Sequence, residues 1–201
     1  MANKIDIKEV LKVGLILFAI TAIAAALLAF VNAKTEPLVE KNALIKEQNA
    51  MNSVMEGAKS FDELEITSDI EKIATELGGE VEKAYIAKDA SDNIIGTCII
   101  TKTTGYDVGI ETVTGVDINK TVTGIDIIAM NETPGLGANA KNDDFRAQYI
   151  GKTGTVGVSK SSADDTNIQA ISGATKTSNG VTNGVNIALS VSENLFNGGI
   201  K

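Results

Sequence analysis

Histidine is absent from the 201 residues. Every mechanism that relies on imidazole is thereby excluded, from a serine–histidine–aspartate relay to the common zinc sites. A single cysteine, Cys98, rules out an internal disulfide and a cysteine-ligated iron–sulfur cluster. It lies in the apolar run IIGTCIITK, so it is expected as a buried strand residue rather than a reactive thiol. Tryptophan is missing and tyrosines number three, which leaves few stacking platforms. Any redox chemistry would therefore fall to a cofactor. Arg146 is the one arginine, and the net charge is −8. Without a concentrated basic patch, nucleic acid is not expected as a partner. Two prolines stand against 19 glycines, a balance that favours turns and close backbone approaches over a proline-rich chain. Neither a catalytic side chain nor a metal site is expected.

What is present begins with Val13–Val31, VGLILFAITAIAAALLAFV. It carries no charge and one hydroxyl, Thr21. As a helix it spans roughly 28 Å, close to a bilayer core of about 30 Å. A cleaved signal peptide is the main alternative, since Val31-Asn32-Ala33 offers small residues to a peptidase, but the run exceeds the usual signal core. An uncleaved transmembrane anchor is the expectation. Lys4, Lys8 and Lys12 precede it and Lys34, Lys41 and Lys46 follow, so the positive-inside rule barely discriminates. The short leading tail favours an internal N-terminus and an outer-face location for the acidic remainder. The expected organisation is a short tail (1–12), a transmembrane helix (13–31), a connecting helix (32–56) and one α+β domain (57–201).

Within that domain, Ser68 is expected to cap a short helix ending at Gly78-Gly79. Glu80–Lys88 and Ile94–Lys102 read as a hairpin closed by Ala90-Ser91-Asp92-Asn93. Thr112–Ile118 (TVTGVDI) recurs nine residues later as Thr121–Ile127 (TVTGIDI), which predicts two adjacent strands. A short helix is expected over Asp143–Gly151 and a strand around Gly154–Lys160. Apolar steps of three and four through Val181, Val185, Ala188, Val191 or Ser192, and Leu195 predict a last helix, capped by Thr177 or Ser178 and ended by Gly198-Gly199.

Two segments stand out. Ser172-Gly173-Ala174-Thr175-Lys176-Thr177-Ser178 joins small residues and hydroxyls just before the last helix. Small side chains let a ligand approach the backbone, and free N–H groups at a helix start stabilise phosphate. A plain capping loop would look similar. Asn131-Glu132-Thr133-Pro134-Gly135-Leu136-Gly137-Ala138 follows an apolar strand, where its proline and glycines force a rigid turn. A tight connecting loop is the bland alternative, although binding residues gather at strand ends.

Together the two segments resemble a known family: the covalent-flavin G subunits of Rnf-type ion-translocating ferredoxin:NAD oxidoreductases, a family shared with the C subunits of sodium-translocating quinone reductases. The Ser172–Thr175 run with Thr177 is similar to the family's Ser/Thr-Gly-Ala-Thr signature, and Glu132–Gly137 matches its second motif. Gly105-Tyr106 and Gly109-Ile110 look like its glycine-tyrosine strand start. The resemblance implies covalent FMN on Thr175, with Ser172, Gly173, Ala174, Lys176, Thr177, Glu132, Thr133, Pro134, Gly135, Leu136 and Gly137 around it. It also implies other membrane and redox subunits as partners, and a flavin transferase during maturation. An electron-transfer subunit of the ferredoxin:NAD complex is the first expectation. The alternatives are the quinone-reductase system or another flavin chain, and a binding module without flavin. Gln169 stands where the family usually has aspartate, and Met130 where many members have histidine.

Overall fold

The computed structural model describes residues 7–198. The chain forms two compact units, one up to Ile45 and one from Lys46 onward. The first unit is helical throughout its described part and belongs to α1, Ile7–Val54. All its described residues are exposed, including Leu15, Phe18, Leu28 and Phe30. Its Val13–Val31 stretch is long and apolar enough to cross a membrane, by length and composition. The Thr21 hydroxyl donates to the carbonyls of Leu17 and Phe18 at 3.0 Å, so the run's one polar side chain is satisfied within the helix. The connecting helix expected over 32–56 is thus no separate element but the continuation of α1 to Val54. Pro37 lies inside α1, where it lacks an N–H but does not end the helix.

The second unit is built on a five-stranded antiparallel sheet in simple sequential order. Its strands are β1 (Ser60–Leu64), β2 (Gly79–Lys88), β3 (Ile94–Thr104), β4 (Val108–Asp117) and β5 (Val122–Ala129). α2 (Ser68–Glu76) links β1 to β2, and α3 (Asp143–Ala147) follows β5. Next come a parallel pair, β6 (Gly157–Ser159) and β7 (Asn167–Gln169), and the long α4 (Thr175–Asn197).

Side chains alternate across the sheet, and this divides the core. Cys98, Ile100, Val113 and Tyr85 face the last turns of α1, where Ala50, Met51 and Val54 are buried. Ile99 and Ala84 face the other way, onto Ile70 of α2 and Ile187, Ala188 and Val191 of α4. Further along that face, Ile110, Ile125 and Ile127 close over Phe145, Tyr149, Ile168, Val181 and Val185. Cys98 has no exposed surface, and burial pushes its thiol up to about 12, as expected of a structural cysteine.

The hairpin and the repeated strands form where predicted. The repeat's two glycines pair as Gly115 with Gly124. Both lie under the Val54 backbone: a Cβ on Gly115 would collide with the Val54 carbonyl, and one on Gly124 would press on Val54 Cα at 3.1 Å. Other details differ from expectation. Thr67, not Ser68, caps α2, its hydroxyl accepting from Ile70 N. α3 stops at Ala147, and the chain turns through residues 148–151. Strands β1 and β7 carry no clear sequence pattern and are additions to the expected elements. α4 starts at Thr175 and has Gly198 as its C-cap, while Gly199 lies outside the described residues.

Candidate functional site

The two singled-out segments, one following β5 and the other leading into α4, meet at a groove of about 480 Å³. Thr133-Pro134-Gly135-Leu136 closes a turn in which Leu136 N donates to Thr133 O at 3.1 Å. Pro134 stiffens the second position, and Gly135 takes φ +77° at the third, the residue pattern of a type II turn. A Cβ on Gly135 would meet no atom within 4 Å, so a larger residue there strains the backbone without clashing. Asn139 ties the turn down, its side-chain amide donating to Gly135 O at 3.1 Å.

On the other side, Gly173 at φ +75° turns the chain into α4. Ala174 is the N-cap, and no side chain caps the helix. The expectation that Thr177 or Ser178 would do so is corrected by their actual partners. Thr177 Oγ1 donates to Glu132 Oε2 at 3.0 Å. Ser178 Oγ lies within the helix, where it donates to Ala174 O and accepts from Ile171 N. The first intrahelical bond runs from Ser178 N to Ala174 O. The N–H groups of Thr175, Lys176 and Thr177 therefore precede the ladder at the positive end of a 23-residue helix. Thr175 is the first helical residue rather than one ahead of the helix, and is half-buried beside these amides.

The groove is lined by Glu132, Thr133, Leu136 and Gly137 from the first loop and Gly173, Ala174, Thr175, Lys176 and Thr177 from the second, together with Tyr106. Ser172, Pro134 and Gly135 are not among its lining residues; the last two shape the turn from behind. The sequence marks Tyr106 only as part of a strand start. Its ring is 75 % exposed at the rim, with Lys176 Nζ 5.8 Å from its centroid, within cation–π reach. The glycine-tyrosine pair is the available signal, but exposure of the ring follows only from the turn between β3 and β4. Leu136 is also exposed, at 45 %, so an apolar and an aromatic side chain flank the opening. Met130 packs against the core cluster. Gln169 is held in β7, its N–H donating to Gln148 Oε1 at 2.6 Å.

A cavity of this size suits a single organic ligand. Uncapped first-turn amides beside Lys176 suit an anionic group, and Leu136 and Tyr106 suit a planar apolar one. The residues present thus fit a phosphorylated aromatic cofactor.

Fold and groove define an α+β cofactor-binding domain preceded by an apolar helix, and residues 105–190 match the FMN-binding domain model. Residues 1–54 match the RnfG N-terminal region. The G subunit of the Na⁺-translocating ferredoxin:NAD⁺ oxidoreductase complex of Acetobacterium woodii is 38 % identical over 200 residues, covering 96 % of each chain. The G subunit of an ion-translocating oxidoreductase complex of Methanosarcina acetivorans is 28 % identical over 188 residues, covering 92 % of this chain and 95 % of its own. The chain belongs to the RnfG family, the G subunits of ion-translocating oxidoreductase complexes. Among solved structures, the C subunit of a Na⁺-translocating NADH-quinone reductase from Parabacteroides distasonis has the same fold, with a TM-score of 0.51 at 24 % identity over 74 % of this chain and 81 % of that one.

Proposed function

We propose that this chain is the electron-carrying flavoprotein subunit of a membrane ferredoxin:NAD oxidoreductase complex, holding FMN through a phosphoester on Thr175. The observation that carries the reading is the meeting of Thr175, three uncapped amides and the Glu132–Gly137 loop at one groove. Membership in the RnfG family supports it over the quinone-reductase alternative.

Attachment makes one bond and breaks one. Thr175 Oγ1 would bond to the flavin phosphorus and lose its proton, while the phosphoanhydride bond of a flavin dinucleotide donor would break in a separate transferase and release a nucleoside monophosphate, with the proton passing to solvent. The first-turn N–H groups and Lys176 would stabilise the resulting phosphodiester charge. Leu136 and Tyr106 would flank the ring, and Gly173 would let the backbone come close. Bound FMN supplies one-electron chemistry, which lets the subunit pass electrons between two-electron and one-electron partners. The protein residues hold and orient; none is asked to exchange electrons. Thr133 and Ala174 belong to the two walls, and Pro134 and Gly135 shape the turn behind one of them. A covalent bond keeps the cofactor in place where free flavin is dilute.

The expected partners are the complex's other membrane and redox subunits, and a flavin transferase during maturation. Residues 13–31 cross the membrane once, 32–56 connect, and 57–201 lie on the outer face. No ionisable group occurs between Val13 and Val31, so ion conduction falls to other subunits. Co-expression with a flavin transferase, followed by a denaturing gel, tests the attachment: the wild-type band fluoresces and Thr175→Ala does not. A dark wild-type band, or a fluorescent Thr175→Ala band, contradicts it. Protease added to intact cells tests the orientation by removing the domain and leaving a membrane-embedded stub; full protection overturns it.

A further inference from the structure

In the wall of the groove, one carboxylate joins three segments that are far apart in sequence. Glu132 Oε1 accepts from Tyr106 N at 2.9 Å and Asp107 N at 3.3 Å, in the turn between β3 and β4. Glu132 Oε2 accepts from Thr177 Oγ1 at 3.0 Å, in the first turn of α4. Three donors converge on one acceptor-only group, which uses both oxygens. Two glycines leave room for it. A Cβ on Gly137 would come 2.5 Å from Glu132 Oε2 and 2.6 Å from Thr177 Oγ1, and a Cβ on Gly105 would also run into the carboxylate.

We propose that Glu132 and Thr177 are positioning residues for flavin attachment: the Glu132 carboxylate, by holding Thr177, sets the first turn of α4 and with it the Thr175 hydroxyl. Thr175 lies two residues before Thr177, so losing the strut shifts the acceptor oxygen relative to the groove. The inference rests on the attachment reading above and adds the residues that govern its rate and its geometry. Neither side chain is required to touch the flavin. Their effect passes through the backbone of α4 and through the Tyr106 turn.

The test uses the full chain with purified flavin transferase and flavin adenine dinucleotide. Initial attachment rate is read by in-gel fluorescence, and flavin midpoint potential is measured on the loaded protein. All assays run well below each variant's own unfolding temperature. Thr177→Val removes the donor at nearly constant shape and Thr177→Ser restores it. Glu132→Gln offers one oxygen and an amide where three donors converge. The expected result is an attachment rate lowered about tenfold or more in Thr177→Val and Glu132→Gln, as sub-ångström misplacement of a reacting group implies. Thr177→Ser should attach near the wild-type rate, and the potential should shift in Thr177→Val but not in Thr177→Ser. If Glu132→Gln does not fold, the Thr177 pair carries the comparison. Wild-type rate and potential in Thr177→Val overturn the proposal, as does a Thr177→Ser variant as slow as Thr177→Val. Wild-type protein that accepts no flavin at Thr175 overturns the attachment reading itself, and the wild-type sample alone reports that outcome.

Discussion

Gly180→Ala perturbs a point where α4 passes very close to the sheet. A Cβ at this position would lie 2.8 Å from Thr104 O and 3.0 Å from Gly105 Cα. Both are backbone atoms, so no side chain can swing away and the helix must retreat. Thr103 Oγ1 also donates to Gly180 O at 2.8 Å in a buried setting, and retreat stretches this bond. Overpacking costs about 1–3 kcal/mol, and an unsatisfied buried hydroxyl adds about 1–3 kcal/mol if the bond is lost outright. Against this, alanine gains about 1 kcal/mol over glycine within a helix. The net expectation is a loss of about 1–3 kcal/mol. At about 2–4 °C per kcal/mol for a domain of this size, Tm should fall by roughly 3–10 °C. The assay is thermal unfolding of the protein in detergent, with Asn179→Ala as a control. Asn179 is the exposed neighbour on the same helix, so its replacement should stay within about 0.5 kcal/mol. A Gly180→Ala protein as stable as wild type, or more so, would refute the close packing of α4 on the β3–β4 end that frames the groove.

Other expectations follow from polar contacts. Asp164 is held down to about 2, first by the Asn167 side chain and then by Thr166, in the loop before β7. A depressed folded value means stabilisation that is complete above the unfolded value of about 3.9 and disappears as pH falls through about 2. The Tm gap between wild type and Asp164→Asn should therefore be constant near neutrality and close between those two pH values; a gap independent of pH would contradict the assignment. Tyr85 OH donates to Glu47 at 2.6 Å, and Lys83 reaches the same carboxylate at 2.7 Å. Burial and the Glu47 bond push the Tyr85 hydroxyl upward, so it stays protonated and donating. Tyr85→Phe should lower unfolding free energy by about 1.5–3 kcal/mol in denaturant titration, the range for a hydrogen bond to a charged group; no change would mean the bond is absent in solution.

The parts of the fold legible in sequence are those with local cause. The apolar run needs only its length, and the paired TVTG segments need only their β-branched alternation. The Pro134-Gly135 turn is encoded by its own residues. Strand β1 is not legible, because Ser60-Phe61-Asp62-Glu63-Leu64 has two apolar residues and no surviving alternation. It is a strand through pairing with β2 and through the Lys88–Asp62 contact at 2.7 Å. Strand β7 is three residues long and exists only beside β6. The same limit applies at the groove. Hydroxyls ahead of a helix argue locally for a cap, yet the partner of Thr177 is Glu132, 45 residues away in the chain. Tyr106 is recognisable as part of a glycine-tyrosine pair, but not as an exposed ring facing Lys176.

The most direct test of the central claim is the position of the flavin along the chain. Full-length protein matured by a flavin transferase is denatured, digested and analysed by peptide mass and fragmentation. Ser172, Thr175, Thr177 and Ser178 crowd one segment, so the fragment ions must separate them. The account predicts the mass of FMN less water on Thr175, the first residue of α4, at the end of the helix where the amides are uncapped. The same mass on Ser172, Thr177 or Ser178, or no added mass on this segment, would contradict it.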